Sequence, residues 1–177
     1  MSVETNALET YRARARNTNV NDVTLLATDY LNHFNEALML AELVVDMPDM
    51  LDDFIEWSPR SYTDHFTGSG IADRELAIEA YAFSPPEYKE PFNITIRQLD
   101  VEILALQMRL GADKGINTGR NTDTATAHQC QVIRELIDNA GAIINGNLRD
   151  RYQQSHNCKD GAGEENLDQD EINALFG

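Results

Sequence analysis

The sequence predicts an all-α protein, an antiparallel helical bundle built around one long helical hairpin. Two observations predict it. Apolar residues recur at intervals of three and four over long stretches, and most prolines stand where such stretches begin. In addition, the strict alternation of apolar and polar residues that marks a half-buried strand is nearly absent.

The first long helix is predicted from about Asn21 to Val45. Asn21 or Asp22 can cap its first turn, because a short polar side chain there accepts a hydrogen bond from a backbone N–H that has no partner inside the helix. The positions spaced for one buried stripe are Val23, Leu26, Tyr30, Phe34, Ala37, Leu38, Ala41 and Val44.

Three short helices are predicted next, and they are expected to cap or cross the bundle. The first runs from Pro48 to Trp57. Ser58 and Pro59 supply a cap and a first-turn proline for a second helix through His65. The third covers 73–83, where the following Ser-Pro-Pro turn stops it.

The long hairpin is predicted from two further helices. One runs from about Glu87 to Leu110 and is expected to kink at Pro91 or to begin after it. The other runs from about Thr122 or Asp123 to Gln154. The segment 111–121 between them is rich in Gly, Asn and Thr, which suits a flexible connection between antiparallel helices.

Three parts of the chain are therefore predicted: a helical bundle domain over 1–154, a flexible linker over 155–166, and a short C-terminal helix over 167–177. The linker contains glycine, glutamate and polar residues and has nothing to bury. Cys130 falls in a predicted helix and Cys158 in this linker, and both are predicted to be free thiols because no metal-type cysteine spacing is present.

Composition excludes several classes of function. Thirty acidic and fourteen basic residues give a net charge of −16, which repels a phosphate backbone, so no nucleic-acid partner is expected. The apolar stretches are far shorter than the roughly 20 residues of a membrane span, so no membrane partner is expected either. Because the first residues lack an apolar secretory segment, a cytoplasmic location is predicted.

The terminal segment LDQDEINALFG has the pattern of a short amphipathic helix. Ile172, Leu175 and Phe176 fall on one helical face. Asp168 can cap the first turn, and Glu171 can reach back to complete a capping box. Isolated helices below about 12 residues are marginal in water, so this one is expected to order only when a groove covers its apolar face. The alternative is that it folds back onto its own bundle.

This segment resembles the acidic response-regulator-binding peptide of bacterial motility proteins, found at the N-terminus of the flagellar motor switch protein and at the C-terminus of chemotaxis phosphatases of the CheZ type. The resemblance covers the last eleven residues only. It implies an accessory regulator of chemotaxis or flagellar motility whose partner is a phosphorylated chemotaxis-type response regulator. Asn173 departs from the aspartate that is usual in the peptide. The implied contact residues are Gln169, Glu171, Ile172, Ala174, Leu175 and Phe176.

The phosphatase family is a dimer of long helical hairpins, so the resemblance also implies a homodimer and raises an alternative function, a response-regulator phosphatase. In that family an Asp-x-x-x-Gln pair acts on the aspartyl phosphate. Gln131 stands in a similar context, but Ala127 occupies the position of the acid. Asp123 lies two turns before Gln131, about 12 Å along a helix. The pattern is therefore met at one of its two residues.

A metal- or ligand-binding bundle is the third reading. Asp29, His33 and Glu36 are spaced to share one helical face, but no Glu-x-x-His motif is present, so neither a metal nor any other cofactor is predicted. His128 could suggest phosphotransfer but lacks the expected neighbours. An aromatic group could form either core or a ligand pocket: Phe54, Trp57, Tyr62, Phe66, Tyr81, Phe83, Tyr88 and Phe92.

Overall fold

The prediction of an all-α fold is confirmed. The computed structural model describes residues 3–113 and 119–148, and over these ranges it contains seven α-helices and no β-strand. Between the first two α-helices, an isolated antiparallel β-bridge pairs Val20 with Ala27. Within the described part of the chain, no helix combines the length and apolar character needed to cross a membrane.

The helices follow one another in the order that the apolar spacing predicts, with one addition at the start. Their bounds are α1 Val3–Ala15, α2 Asn32–Asp46, α3 Leu51–Glu56, α4 Tyr62–Thr67, α5 Arg74–Tyr81, α6 Pro86–Ala112 and α7 Gly119–Ile144. Short 3-10 turns, Thr28–Leu31 and Pro48–Met50, precede α2 and α3.

Helix α1 has no counterpart in the sequence prediction, because its apolar residues do not gather on one stripe. It contacts α5 through polar and aromatic side chains instead. Arg14 Nη1 donates to Glu79 Oε2 at 2.7 Å, and Tyr11 stacks on Phe83 with 4.6 Å between ring centroids. The hydrogen bond with Glu79 raises the pKa of Arg14.

The prediction of a helix beginning at Asn21 is wrong; α2 begins at Asn32. Asn21 Oδ1 accepts from the backbone N–H of Val23 and of Thr24, at 2.9 and 3.0 Å. Leu25 has a φ of +57°, which no helix accommodates. The residues before α2 thus form a buried turn, because a local side-chain bond competes with helix formation.

The start of α4 is also later than predicted. The chain enters this helix through Ser61, whose Oγ accepts from the Asp64 backbone N–H at 3.1 Å, so Ser61 rather than Ser58 is the N-cap. Pro59 lies outside the helix. The other short helices fall within their predicted ranges, and Gly68 follows α4 as expected.

Helices α6 and α7 form the predicted antiparallel hairpin. Asn139 Nδ2 donates to Thr95 Oγ1, and Gln129 Nε2 to the Glu102 backbone carbonyl, both at 3.1 Å. Residues later in α7 therefore meet residues earlier in α6. The alternative of a late start after Pro91 is wrong, because α6 begins at Pro86 and continues through Pro91; the expected kink stays a prediction.

Helix α7 ends at Ile144, so the prediction that it continues to Gln154 is wrong. Gly146 has a φ of +82°, and its N–H donates to the Ile143 carbonyl at 3.0 Å. The Asn147 N–H donates to the Ala142 carbonyl at 2.8 Å. This pair of bonds is a Schellman motif, which ends a helix by turning the chain at a left-handed glycine.

The core lies where α7 packs against α2 and α6, with α3 against α6. Its largest fully buried side chains include Phe34, Phe54, Phe92 and Ile133. The chain divides into two compact units, Met1–Asn147 and Leu148–Gly177. The predicted linker over 155–166 and the terminal helix over 167–177 lie outside the described residues.

Candidate functional site

The sequence names three sets of candidate residues, and the structure describes two of them. The peptide residues Gln169 to Phe176 lie outside the described residues, as does Cys158. The side chain of Asp123 is likewise not described. Gln131 and the set Asp29, His33 and Glu36 are described and can be placed.

Gln131 lies on the exposed face of α7, away from the core. Its Nε2 donates to Glu135 Oε1 at 3.0 Å, one turn further along the helix. Ala127, one turn earlier, is also exposed. The carboxylate beside the glutamine therefore follows it in the chain, whereas the phosphatase pattern places the acid before it. His128 is exposed on the same helix, and Cys130 is a buried free thiol whose pKa is raised by burial.

His33 and Glu36 line one side of a cleft of about 450 Å³, and Asp29 does not line it. Asp53, Glu56, Trp57 and Arg60 line the rest of this first cleft, together with Leu40 and Ser58. Among the residues that the structure describes, no three His, Cys, Asp or Glu side chains are placed to hold a metal ion. The weak candidate triad Asp29, His33 and Glu36 is therefore not assembled.

The His33 ring stacks on the Trp57 ring, and both residues line the first cleft. It lies 4.6 Å from the Trp57 ring, centroid to centroid, and the Trp57 indole N–H donates to the His33 backbone carbonyl at 2.9 Å. Burial, with smaller effects of the Arg60 and His65 charges, lowers the pKa of His33 to about 4. The imidazole is thus neutral at pH 7, and its Nε2 is buried without a hydrogen-bond partner.

The aromatic group forms both core and a cleft. Phe54, Trp57, Tyr62, Phe66 and Phe92 are buried. Tyr81 is only partly buried, and its ring stacks on that of Tyr62 at 4.6 Å. Phe83 is exposed and packs on α1. Most of this group is therefore core, as one of the two interpretations of the sequence expects; the ligand pocket stays a prediction.

A second cleft, of about 330 Å³, opens between the aromatic group and α6. Four aromatic rings line it, Tyr30, Tyr62, Tyr81 and Phe92. Its ring wall is fixed by hydrogen bonds: Tyr30 Oη donates to the Arg60 carbonyl at 2.6 Å, and Tyr81 Oη donates to Asn93 Oδ1 at 2.8 Å. Burial raises the pKa of Tyr30 and of Tyr62 above the ordinary value, so both phenols stay neutral.

The polar side of this second cleft comes from α6 and the loop before α4. Asn93, Arg97 and Asp100 are spaced four and three residues apart, so successive turns of α6 present them to the cleft. Arg60 adds a second guanidinium. Asp100 Oδ1 is buried without a hydrogen-bond partner, and burial raises the pKa of Asp100 to about 6.

Sequence reasoning missed Asp100. A single acid on a long helix reads as part of a solvated face, and nothing adjacent in the sequence shows that Tyr30 and Tyr62 will cover it. The sequence does contain a usable signal. Asn93, Arg97 and Asp100 fall on one face of α6, beside its buried apolar residues, and the tyrosines of the aromatic group already suggest a pocket.

Comparison of the chain with protein-family models, with curated proteins and with solved structures gives no match. The function has therefore to be inferred from the chain's own residues.

Proposed function

We propose that the protein is an accessory regulator of bacterial chemotaxis or flagellar motility, which binds a phosphorylated response regulator through its segment 167–177. The observation that carries the proposal is the placing of Ile172, Leu175 and Phe176 on one face of an acidic eleven-residue segment. Such a segment gains helical order chiefly when a groove on a partner buries that face.

The charge of the segment supports the same role. Glu164, Glu165, Asp168, Asp170 and Glu171 lie in or just before it, and no lysine or arginine falls among them. Complementary charge steers the two partners together and is screened by salt. A basic groove on the regulator would therefore capture the segment quickly at low salt and more slowly as the salt concentration rises.

The described bundle supports a role as carrier, because its helices bury one another. Ile143 and Ile144, at the end of α7, are 2% and 1% exposed. Thr24 Oγ1 donates to the Ile144 carbonyl at 2.6 Å, so this carbonyl in the last turn of α7 has a hydrogen-bond partner in the bundle. The bundle core is filled up to the end of its last helix.

The outer face of α6 supports the expected homodimer. Ile94, Val101 and Met108 are seven residues apart and are 40%, 63% and 77% exposed. This heptad spacing places them in one stripe, and the stripe is symmetrical about Val101. A second copy running antiparallel would pair Ile94 with Met108 and Val101 with itself, and a dimer would present two peptides to its partners, which raises apparent affinity.

Titration of a labelled, phosphorylated chemotaxis response regulator with a synthetic 166–177 peptide tests the docking. Saturable binding is expected, and Leu175→Ala and Phe176→Ala should each weaken it by at least about tenfold, since each removes roughly 1.5–3 kcal/mol of apolar burial. Asn173→Ala is the control away from the apolar face and should leave the affinity unchanged.

The full-length protein is then compared with a chain ending at Asn166 in the same titration. Equal binding by the two chains would contradict the proposal, because the docking would then lie in the bundle. Equal binding by the Leu175→Ala and unaltered peptides would contradict it as well.

A phosphatase of the same regulator is the alternative function. The observation that favours it is the exposed position of Gln131 with the Glu135 carboxylate in contact with its amide. An amide of this kind could orient a water molecule toward an aspartyl phosphate, and the carboxylate could engage the regulator.

Phosphate release from the phosphorylated regulator, timed with and without the protein, tests the alternative. If the protein is a phosphatase, it should accelerate release, Gln131→Ala should abolish the acceleration, and the exposed Gln98→Ala on α6 should not. Decay at the spontaneous rate in the presence of the protein would remove this alternative and leave the docking proposal intact.

A further inference from the structure

The second cleft combines features that a purely structural cavity does not need. It has a volume of about 330 Å³, near the lower end of the range of about 300–1,000 Å³ for small-molecule sites. Four rings wall it, and its polar atoms converge from α6 and the loop before α4. These features are typical of a site that holds a small organic molecule in one orientation.

Asp100 is the group that most needs a ligand. Its Oδ1 is buried and has no hydrogen-bond partner among the described residues, although burial of a carboxylate oxygen without one is costly. Arg97 on the preceding turn forms no ion pair with it. The charge of Asp100 reaches Tyr30, whose pKa it raises further, so the carboxylate lies beside the ring wall.

A metal ion is a poor fit to this acid. Divalent cations with oxygen ligands need several carboxylates or carbonyls around one point, and among the residues that the structure describes Asp100 is the only acid that lines the cleft. An organic ammonium group fits better, because it can donate to the carboxylate while its substituents contact the tyrosine faces, whose negative quadrupole attracts cations.

The two guanidinium groups of the cleft indicate a second group on the ligand, a carboxylate. Arg60 and Arg97 are exposed and line the same cleft, and neither takes part in an ion pair among the residues that the structure describes. Arginine is suited to bidentate binding of a carboxylate. A ligand with an ammonium group, a carboxylate and an apolar body would satisfy every feature of the cleft.

We propose that this cleft binds a free α-amino acid with an aromatic or large aliphatic side chain. Asp100 accepts hydrogen bonds from the ligand ammonium, Arg97 and Arg60 hold its carboxylate, and the tyrosine rings cover its side chain. None of the residues that carry this inference belongs to the segment 167–177, so it can be tested independently of the proposed docking.

Calorimetric titration of the full-length protein tests the inference, with L-phenylalanine and L-leucine as the probes. Three comparison compounds test the ligand groups one at a time. Phenethylamine lacks the carboxylate, and 3-phenylpropionate lacks the ammonium. L-phenylalanine amide represents the N-terminal residue of a peptide. Saturable binding of at least one amino acid is expected, at least about tenfold tighter than that of any comparison compound, as loss of a charge-assisted bond implies. Equal affinity for the amide or for 3-phenylpropionate would overturn the proposal.

Two variants assign the roles of the charged groups. Asp100→Asn should weaken amino acid binding at least about tenfold, whereas the exposed Asp138→Asn on α7 should not. Arg97→Gln should weaken binding of the amino acid but leave that of phenethylamine unchanged. Because Asp100 Oδ1 has no hydrogen-bond partner among the described residues, Asp100→Asn should also unfold at the same temperature as the unaltered protein or higher, which separates lost binding from lost folding.

The dependence of binding on pH gives an additional readout. The titratable and charged groups facing the ligand are Tyr30, Tyr62, Tyr81, Arg60, Arg97 and Asp100. Asp100 changes charge in the weakly acidic range, because burial raises its pKa to about 6. Affinity should therefore fall as the pH decreases from 7 to 5, and it should no longer do so in Asp100→Asn. Affinity that stays constant over this range in the unaltered protein would overturn the proposal, as would the absence of binding by both amino acids.

Discussion

Gln107 shows how one polar side chain can hold two elements together. It is buried on α6, and its Nε2 donates to the backbone carbonyls of Phe54 and Trp57 at 2.6 and 2.8 Å. Both carbonyls lie at the end of α3, where the helix supplies few partners; the Phe54 carbonyl also accepts from the Trp57 backbone N–H at 3.3 Å. Gln107 thus fixes the short helix against the long hairpin.

Gln107→Leu should lower the free energy of unfolding by about 1–3 kcal/mol, because it leaves two carbonyls with weakened or missing hydrogen bonds in the core. Urea denaturation measures this change. Gln98→Leu, on the exposed face of α6, is the control and should change stability by less than about 0.5 kcal/mol. Equal effects of the two substitutions would contradict the assigned role of Gln107.

The stability of the bundle should also depend on pH through two groups that act in opposite directions. The pKa of His33 is lowered to about 4 in the folded protein, so between about 4 and 6.5 the unfolded chain binds more protons there, and stability falls as the pH decreases. The pKa of Asp100 is raised to about 6, so between about 4 and 6 the folded protein binds more protons there, and stability rises as the pH decreases.

The two effects oppose each other in the unaltered protein, and the lowered pKa of His65, caused by burial, acts in the same direction as that of His33. His33→Phe keeps a ring beside Trp57 but removes one titration, so its stability should rise relative to that of the unaltered protein as the pH is lowered from 6.5 to 4.5. Asp100→Asn should show the reverse. Denaturation curves at several pH values measure both, and parallel pH profiles for all three proteins would contradict this assignment.

At the scale of elements, the two long helices of the hairpin could be predicted because their apolar residues keep a helical spacing over many turns. The start of α2 could not be predicted. Asn21 Oδ1 accepts hydrogen bonds from the backbone N–H groups of Val23 and Thr24, and Leu25 has a left-handed backbone conformation, so the residues from Asn21 onward form a turn instead of a helix. The aromatic group was recognised, but not the burial of Asp100, which depends on rings from distant parts of the chain.

Two glycines, one within α7 and one just after it, should respond in opposite directions to the same substitution. Gly146 has a φ of +82°, so Gly146→Ala should cost about 1–2 kcal/mol of stability. Gly141 lies within the helix, and an added Cβ would meet only Leu31 Cδ1 at 3.6 Å, an ordinary contact. Gly141→Ala should therefore stabilise the protein by up to about 1 kcal/mol. Denaturation in urea distinguishes them, and a gain for Gly146→Ala would disprove the described end of α7.

At the scale of the whole molecule, the exposed stripe of α6 predicts self-association. Sedimentation should show a dimer for the full-length protein and a monomer for Val101→Glu, because the substitution places a charge on the centre of the paired stripe. Val23→Glu, at another exposed valine, should leave the dimer intact. A monomer at all concentrations in the unaltered protein would exclude the dimer and, with it, the two-peptide arrangement.

The bond from Thr24 to the carbonyl of Ile144 joins residues 120 positions apart. Thr24 in turn accepts from Ser84 Oγ at 2.7 Å through its own carbonyl. Contacts of such long range carry a loop-closure cost that is recovered only late in folding. During synthesis, the hydrogen bond from Thr24 to Ile144 can form only after α7 has left the ribosome. The turn before α2 therefore lacks this stabilising contact while the rest of the chain is being made.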